Sequence, residues 1–473
     1  MLQFPWLETA IGLSAAGSLA VGLVRNPVRA ARLGMAITGV VFACTFLAWL
    51  GFHLGVPVEG GLAARWPGPS VFGLDDLSAP LVPAVALLHF LTSIATAKTR
   101  MRYFAASWSL ASETIRLAMF SCTASWLLVF LLVLCTLPPY FELVNRGRPT
   151  RVYALHMGLF AALLLVGWSA VSLGGGRGWL SALGAVPLLL AILIRCGTVP
   201  AHCWVADWFE HASFGNGLLF VAPLAGVYAA VRLVLPIAPG WALHGIGLAS
   251  LATTVYAAGM AIIQREARRF FAYLFLSSAS LVLVGIELVT EISLTGSLCL
   301  WFSAILSLGG FGLTLRAIES RFGRLSLDEY HGLYDHTPAL AVGFLLTGLA
   351  SVGFPGTLGF ISTELLVDGA VEYNLSIGIL VIAAAALNSI AIVRAYLRLF
   401  TGKRHASTIS LKIGLRERVA VLTLAALMLG GGLYPQPGVS TRLKAAEALL
   451  AERARRTGAL PPQWPPEGRD ERP

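Results

Sequence analysis

Residues 179–207, WLSALGAVPLLLAILIRCGTVPAHCWVAD, run from an almost unbroken apolar stretch into Arg195, Pro200 and a His-x-Trp. A bilayer core of about 30 Å takes about 20 apolar residues in a helix, and 179–198 supply one such span. Pro200 interrupts the helix just after the arginine, and His202, Trp204 and Asp207 follow within a few residues. The rest of the chain is built from similar runs. Windows of that length give about fourteen spans, at roughly 7–24, 35–55, 78–97, 103–122, 124–144, 154–173, 179–198, 213–235, 245–263, 270–288, 294–315, 338–372, 373–396 and 417–433. The twelfth is too long for one straight crossing. Its centre, Gly353-Phe-Pro-Gly-Thr-Leu-Gly359, breaks it into two half-helices, which membrane depth tolerates where neighbouring helices satisfy the freed backbone. Only two such breaks are legible, at Pro200 and at Pro355.

Composition agrees. Of 473 residues 57 % are hydrophobic and 12 % charged, with mean hydropathy +0.76. A soluble domain carries roughly 25 % charged residues, so this chain cannot coat a soluble core of its own size. That excludes a cytoplasmic enzyme, a nucleic-acid binder and a disordered scaffold. The net charge of +10 comes from short clusters between apolar runs: Arg25, Arg29, Arg32; Lys98, Arg100, Arg102; Arg146, Arg148, Arg151; Arg265, Arg268, Arg269; Arg316, Arg321, Arg324; and Arg398, Lys403, Arg404. Each follows an odd-numbered span. The positive-inside rule then makes odd loops cytoplasmic and puts both termini on the outer face. The first span has no basic segment before it and reads as retained rather than as a cleaved signal.

The expected organisation is an N-terminal set of helices 1–3 over 1–102, a core of helices 4–13 over 103–400, a last transmembrane helix over 401–438, and a tail over 439–473. In that tail 440–457 is an amphipathic helix, and the segment with Pro461-Pro462 and Pro465-Pro466 reads as disordered. The six cysteines lie mostly in apolar runs and read as small hydrophobes, not a disulfide framework. Cys196 and Cys203 with one histidine are poor zinc spacing, and Gly174–Gly178 is a loop without nucleotide-binding spacing. No cofactor and no metal is expected.

An ionisable group inside a span is costly and is a functional candidate by default. The set is Glu113, Arg116, His156, Arg195, His202, Asp207, Glu287, Arg316, Glu364, Asp368 and Arg394. Snorkelling at a span end accounts for Arg316, Arg394, Glu287 and Asp368, and a local i,i+3 pair for Glu113 with Arg116. The densest group is Arg195–Asp207. A histidine supplies a proton near neutral pH, whereas an arginine keeps its proton and only sets the local field. Two readings stand for this group: part of a proton path, or a structural turn in which His202 caps the broken helix. The proton-path candidates are Glu113, His156, Arg195, His202, Asp207 and Glu364.

Four motifs in order carry a resemblance: Val199-Pro200-Ala201-His202-Cys203-Trp204-Val205-Ala206-Asp207; Gln264-Arg265-Glu266-Ala267-Arg268-Arg269-Phe270-Phe271-Ala272-Tyr273; Gly353–Phe360; and Tyr434-Pro435-Gln436-Pro437. Over about 70–437 the chain resembles the antiporter-like membrane subunits of proton-translocating NADH–quinone oxidoreductase (complex I), of the chain M or subunit 4 type, which also occur in Mrp antiporters and membrane hydrogenases. The resemblance implies an all-α polytopic fold with two inverted five-helix repeats and discontinuous helices 7 and 12. It implies a membrane-arm subunit contributing to proton translocation, with no catalytic site of its own. Its partners would be other membrane subunits of a multisubunit complex, and its place a bacterial-type inner membrane. The alternatives are the energy-coupling subunit of an inorganic-carbon uptake complex, an Mrp-type cation/proton antiporter, or a non-conducting structural paralogue. The chain departs from the family's charged axis. The seventh-helix lysine falls on Arg195, the fifth-helix glutamate on Val133, the eighth-helix lysine near Gly226, and the eleventh-helix position in the apolar 304–310 stretch. Glu113 matches a helix-four acid and is the expected partner of Arg195; Glu364 lies near the helix-twelve position.

Overall fold

Helices joined by short loops make up the protein, and the described residues form no strand beyond two isolated bridges, Phe72 with Cys122 and Glu266 with Ser326. The computed structural model describes residues 4–56, 71–96, 105–175, 179–402 and 414–457. Lys98, Arg100, Arg102, Lys403, Arg404 and the proline-rich tail lie outside them, as does most of the Gly174–Gly178 run. The helices in order are α1 (Trp6–Leu23), α2 (Pro27–His53), α3 (Leu81–Ile94), α4 (Ala106–Ser121), α5 (Ser125–Leu134), α6 (Leu137–Asn145), α7 (Arg151–Leu173), α8 (Trp179–Cys196), α9 (Cys203–His211) and α10 (Phe214–Val221). There follow α11 (Ala225–Ala229), a π-helical turn (Ala230–Val234), α12 (Gly240–Ile263), α13 (Ala267–Glu287), α14 (Glu291–Phe322), α15 (Pro338–Ala350), α16 (Leu358–Tyr373), α17 (Leu375–Phe400), α18 (Leu415–Leu433) and α19 (Gln436–Thr457). Among the described residues nine stretches are long and apolar enough to cross a membrane, with α5–α6 and α10 through the π turn each counted as one, and ten if the pair α18–α19, bent by 80°, is a single crossing.

Local chemistry sets the helix ends. Asn26 accepts from the amides of Val28 and Arg29 ahead of Pro27, the arrangement that starts α2. Asn374 ends α16 and caps α17 through the Ser376 amide. The breaks number four rather than two. The α8–α9 break spans Gly197–His202, where the Val199–Pro200 peptide is cis, and the α15–α16 break spans Ser351–Thr357. The additional ones separate α5 from α6, before Pro138, and α10 from α11, at Pro223 and the left-handed Leu224. Side chains take up the carbonyls that each break frees, as irregular backbone at membrane depth requires. Trp204 Nε1 donates to the Ile194 carbonyl at 2.8 Å, and Thr198 Oγ1 donates to that of Leu193 at 2.8 Å. The Tyr153 hydroxyl donates to Thr136 O at 2.8 Å and Trp301 Nε1 to Pro223 O at 3.1 Å. A proline reading alone misses these breaks because both sit inside otherwise continuous apolar runs.

The core runs through α13, α14 and the α10–π stretch, each 94 % buried over its apolar window, while α1, α2, α7 and α17 bury only about a third of theirs or less. Loops sort to two ends. At one, Arg268 binds the carbonyls of Phe209 and Ala212 and the Glu319 carboxylate, Arg321 pairs with Glu417, and Arg398 donates to Asp328 O. At the other, Arg442 of α19 donates to Asp76 O and Leu77 O, and Arg453 to Leu235 O and Ala238 O. The cations that follow spans 9, 11 and 13 therefore share one end, opposite the amphipathic α19. Of the cysteines Cys203 is exposed, the other five are buried, and none is bonded to another.

Candidate functional site

Arg195 is the penultimate residue of α8, where the helix stops at Gly197, and it is only 4 % exposed. No ion pair reaches it. Its guanidinium lies over the Phe220 ring, 4.3 Å from the centroid, and 5.6 Å from that of Trp204. Nε and Nη2 have no hydrogen-bond partner. A desolvated cation–π contact is worth about 2 kcal/mol, so the aromatic cage offsets part of the cost of burying this charge. The expected partnership with Glu113 is not formed.

Gly226 explains how Arg195 fits. A Cβ on Gly226 would lie 2.5 Å from Cys196 Sγ and 3.2 Å from Arg195 Cγ. The end of α8 packs into the space that a side chain on Gly226 would occupy.

Glu113, wholly buried on α4, points to the other side. Its Oε2 takes a hydrogen bond from Ser14 of α1 at 3.4 Å, while Oε1 has no partner. The i,i+3 ion pair expected with Arg116 is absent as well. Arg116, 1 % exposed, turns to α3 and donates from Nη1 to His89 Nε2 at 2.8 Å. Arginine has no acceptor, so His89 must accept at Nε2 and carry its hydrogen on Nδ1. His89 is wholly buried, and Nδ1 has no partner. A cavity of about 20 Å³, bounded by Ser109, Ser112, Arg116, Glu142, Asn216 and Phe220 among others, separates this group from the Arg195 cage. That volume admits one water. Val133 sits at the end of α5, and its carbonyl accepts from Thr136.

The remaining candidates fall apart into separate places. His202 stands at the N-cap of α9 but makes no side-chain cap bond, so it does not cap the broken helix. Its Nε2 lies 3.4 Å from the Tyr256 hydroxyl, and its ring is edge-on to Tyr256. His156 binds the carbonyl of Val152 one turn back on α7. Asp207 faces His211 at 3.3 Å on α9. Glu364 is exposed on α16, as are Asp368 and Glu372 at successive turns. Three snorkelling assignments are corrected. Glu287 is buried and tied to His244 at 2.9 Å; Arg316 donates to Thr92 O and Thr96 Oγ1; Arg394 donates to the Ile262 carbonyl. In each a nearby hydrogen-bond partner inside the protein outcompetes the distant interface.

Sequence reasoning missed His89, Glu142, Arg232 and His244. The first three lie inside predicted spans, so the rule that flagged Glu113 would have flagged them too. Arg232, in the π turn, pairs with Asp75 at 2.6 Å beside a pocket of about 430 Å³ at the α19 end.

Residues 160–388, which hold the α8–α9 break, α12–α14 and the α15–α16 break, match the family model described as NADH:quinone oxidoreductase/Mrp antiporter, TM. Over these residues, just under half of its length, the chain is similar to the antiporter-like subunits of that family. It is 26 % identical to NAD(P)H-quinone oxidoreductase chain 4 of Synechococcus over 95 % of this chain and 90 % of that one. It is 26 % identical to the F(420)H(2) dehydrogenase subunit M of Methanosarcina mazei over 56 % of this chain, spanning about half (54 %) of that relative's length. Its fold matches a chain of respiratory complex I from Thermus thermophilus, with TM-score 0.83, 21 % identity and coverage of 96 % and 100 %. It also matches a chain of the Mrp complex from Dietzia, with TM-score 0.81, 19 % identity and coverage of 94 % and 97 %. In this chain the shared fold is built around an arginine in an aromatic cage.

Proposed function

We propose that the protein is a membrane-arm subunit of a complex-I-like NADH/quinone oxidoreductase and contributes to proton translocation across a bacterial-type inner membrane. The observation that carries this is the buried group His89, Glu113, Arg116 and Arg195, set between helix breaks where a soluble protein or a plain scaffold would place apolar packing. The two arginines act as fixed sources of positive field. The groups among the four that exchange protons are His89, whose Nε2 lone pair is held by Arg116 and whose Nδ1–H has no acceptor, and Glu113, whose Oε1 is unpaired. Asp207, His156 and His202 lie along the α7–α9 side, from which a proton would enter. We read the fold as fourteen spans in two inverted five-helix repeats, with 103–400 as the core and both termini on the outer face. The exposed carboxylates of Glu364, Asp368 and Glu372 on one face of α16 fit a surface that a neighbouring membrane subunit covers, because a carboxylate facing lipid is costly.

The test is proton pumping in vesicles carrying the intact complex, with Glu113→Gln and His89→Gln measured singly. Pumping per turnover should fall in both while electron transfer continues with an uncoupler. Wild-type pumping in both assembled variants would leave the non-conducting paralogue as the reading, which the apolar 304–310 stretch and Val133 favour. For orientation, a reporter fused after Pro473 should behave as exported; cytoplasmic activity would overturn the even span count.

A further inference from the structure

A polar seam runs along α12, and neither end of it belongs to the buried cationic group. At the end of the molecule that carries α19, His244 in the first turns of α12 links two other helices. Its Nδ1 lies 2.9 Å from Glu287 Oε1 at the last residue of α13, and its Nε2 lies 2.8 Å from the hydroxyl of Tyr373 at the last residue of α16. Tyr373 and His244 are both exposed, whereas Glu287 behind them is buried at 6 %. The carboxylate has a built seat, because a Cβ on Gly247 would lie 1.2 Å from Glu287 Oε2.

Below the seat the α12–α13 interface is lined with hydroxyls. Ser250 of α12 follows Gly247 by about one turn, and Ser280 of α13 precedes Glu287 by two turns. Both are wholly buried with unpartnered Oγ atoms. One turn further, Ser277 Oγ donates to Thr254 O at 3.0 Å and receives the Asn388 Nδ2 hydrogen of α17 at 2.8 Å, and Asn388 Oδ1 is unpartnered. Thr253 Oγ1 then accepts from the Val199 amide in the α8–α9 break, and Tyr256 meets His202. From His244 to Tyr256 is about 18 Å along the helix. Orphaned buried hydroxyls are costly, which makes their repetition along one seam a feature in need of a use.

We propose that the seam is a proton path joining His202 at the helix break to an exchange port formed by Glu287, His244 and Tyr373. At rest a neutral imidazole donates Nδ1–H to the Glu287 carboxylate and accepts at Nε2 from Tyr373. A proton from outside adds at Nε2, the Tyr373 hydroxyl turns to become an acceptor, and the Nδ1 proton passes to Glu287. The products are a carboxylic acid, a neutral imidazole of the other tautomer and one proton loaded inside the seam. Hydroxyls carry it on by donating one hydrogen while accepting another. Steps of about one helical turn, ~5.4 Å, are bridged by single waters. Near the port, Glu372 precedes Tyr373 on α16 and Glu291 starts α14, while Arg268 and Arg269 of α13 pair with Glu319 and Glu210 at the far end. Of the helices packed on α12, α13 offers Glu287, while the cations of α17, Arg394 and Arg398, bind Ile262 and Asp328 carbonyls at the far end, and Arg195 of α8 lies in its cage.

This rests on the proton-translocating reading above, and the experiment separates the two. The intact complex in vesicles is assayed for protons moved per turnover as the pH on the α19 side is varied over about 5 to 8, the range in which an imidazole titrates. The variants are Glu287→Gln, His244→Gln and Ser280→Ala. Glu287→Gln and His244→Gln should reduce proton flux on the order of 10²-fold, the scale of losing a positioned proton-transfer group. His244→Gln, exposed and neutral in charge, should assemble even where Glu287→Gln does not, and its flux should lose the pH dependence seen in the wild type. Ser280→Ala should reduce flux without changing the pH profile. Unchanged flux and an unchanged profile in His244→Gln overturn the port, even if Glu113→Gln abolishes pumping and so upholds the proposed function. Absence of pumping by the wild-type complex overturns both.

Discussion

The two halves of the bundle solve the problem of polarity at membrane depth in opposite ways. In the first, α3, α4 and α8 bury an imidazole, a carboxylate and two guanidinium groups within a few helices of one another. In the second, α12, α13, α14 and α17 bury serines, threonines and one asparagine, while ionisable groups of this half stand at its margins: Glu287 at the port, Glu364 of α16 exposed, Arg394 at the basic end. Buried charges fix a field and tolerate little change. Hydroxyls hold no charge, cost less to bury, and pass protons only when one is supplied. One half is therefore suited to setting a potential and the other to conducting through it.

The largest expected effects fall on the charged half. Arg195→Met fills the aromatic cage without the cation. Replacing a buried charge by an apolar group of similar volume is often neutral or stabilising, so this variant should assemble at wild-type level and lose pumping. Arg195→Ala leaves a cavity instead and should cost about 2–4 kcal/mol of stability. Thermal melting of the purified complex together with pumping distinguishes the two. If Arg195→Met pumps normally, the cation has no part in the field and the contrast between halves fails.

Next comes the glycine that makes room for the arginine. Gly226→Ala puts a methyl against Cys196 Sγ and should destabilise by about 1–3 kcal/mol, the usual cost of overpacking. Combining it with Cys196→Ala should recover part of the loss. Full additivity of the two would mean that the α8 end does not pack into the Gly226 space. Gly226→Lys, which adds a longer side chain at the same point, should be worse than Gly226→Ala for the same reason.

The span pattern, the order of the motifs and the breaks at Pro200 and Pro355 are legible in the sequence because hydropathy and proline act locally. The partners of the charges are not legible. Glu113 and Arg116 sit three residues apart, yet Ser14 and His89, from α1 and α3, claim them, since each helix faces several neighbours and residue spacing says nothing about which side chain lies across the interface. Gly226 reads as a lost lysine, whereas its use appears only when the end of α8 is seen against it. Conversely, the hydroxyls of α12 and α13 are plain in the sequence but carry no signal there, because serine and threonine in apolar helices usually bond to their own backbone.

A smaller effect is expected where α19 clasps the loop before α3. Arg442 is buried and serves the carbonyls of Asp76 and Leu77. Arg442→Ala strands both acceptors, so a loss of about 1–3 kcal/mol is expected. Limited proteolysis should then release α19 earlier than in the wild type, with pumping in intact complexes unchanged.

The smallest effect lies in the same loop and depends on pH. Burial raises the Asp75 carboxyl, but Arg232 beside it and the amide and hydroxyl of Ser78 more than compensate, so the group stays ionised below the usual aspartate range. A depressed folded value contributes stability above the unfolded pKa of about 3.9, and that contribution is lost as pH falls through the folded value. Asp75 is half-exposed, which screens the pair and limits its worth to under about 1 kcal/mol. Asp75→Asn should therefore lower the melting temperature slightly at neutral pH, and the difference from wild type should close as the pH drops below the aspartate range. A constant difference across that range would assign the loss to the Ser78 hydrogen bonds and not to the charge. In that case the turn at Asp75 would be held by neutral hydrogen bonds, as the α12–α13 interface is.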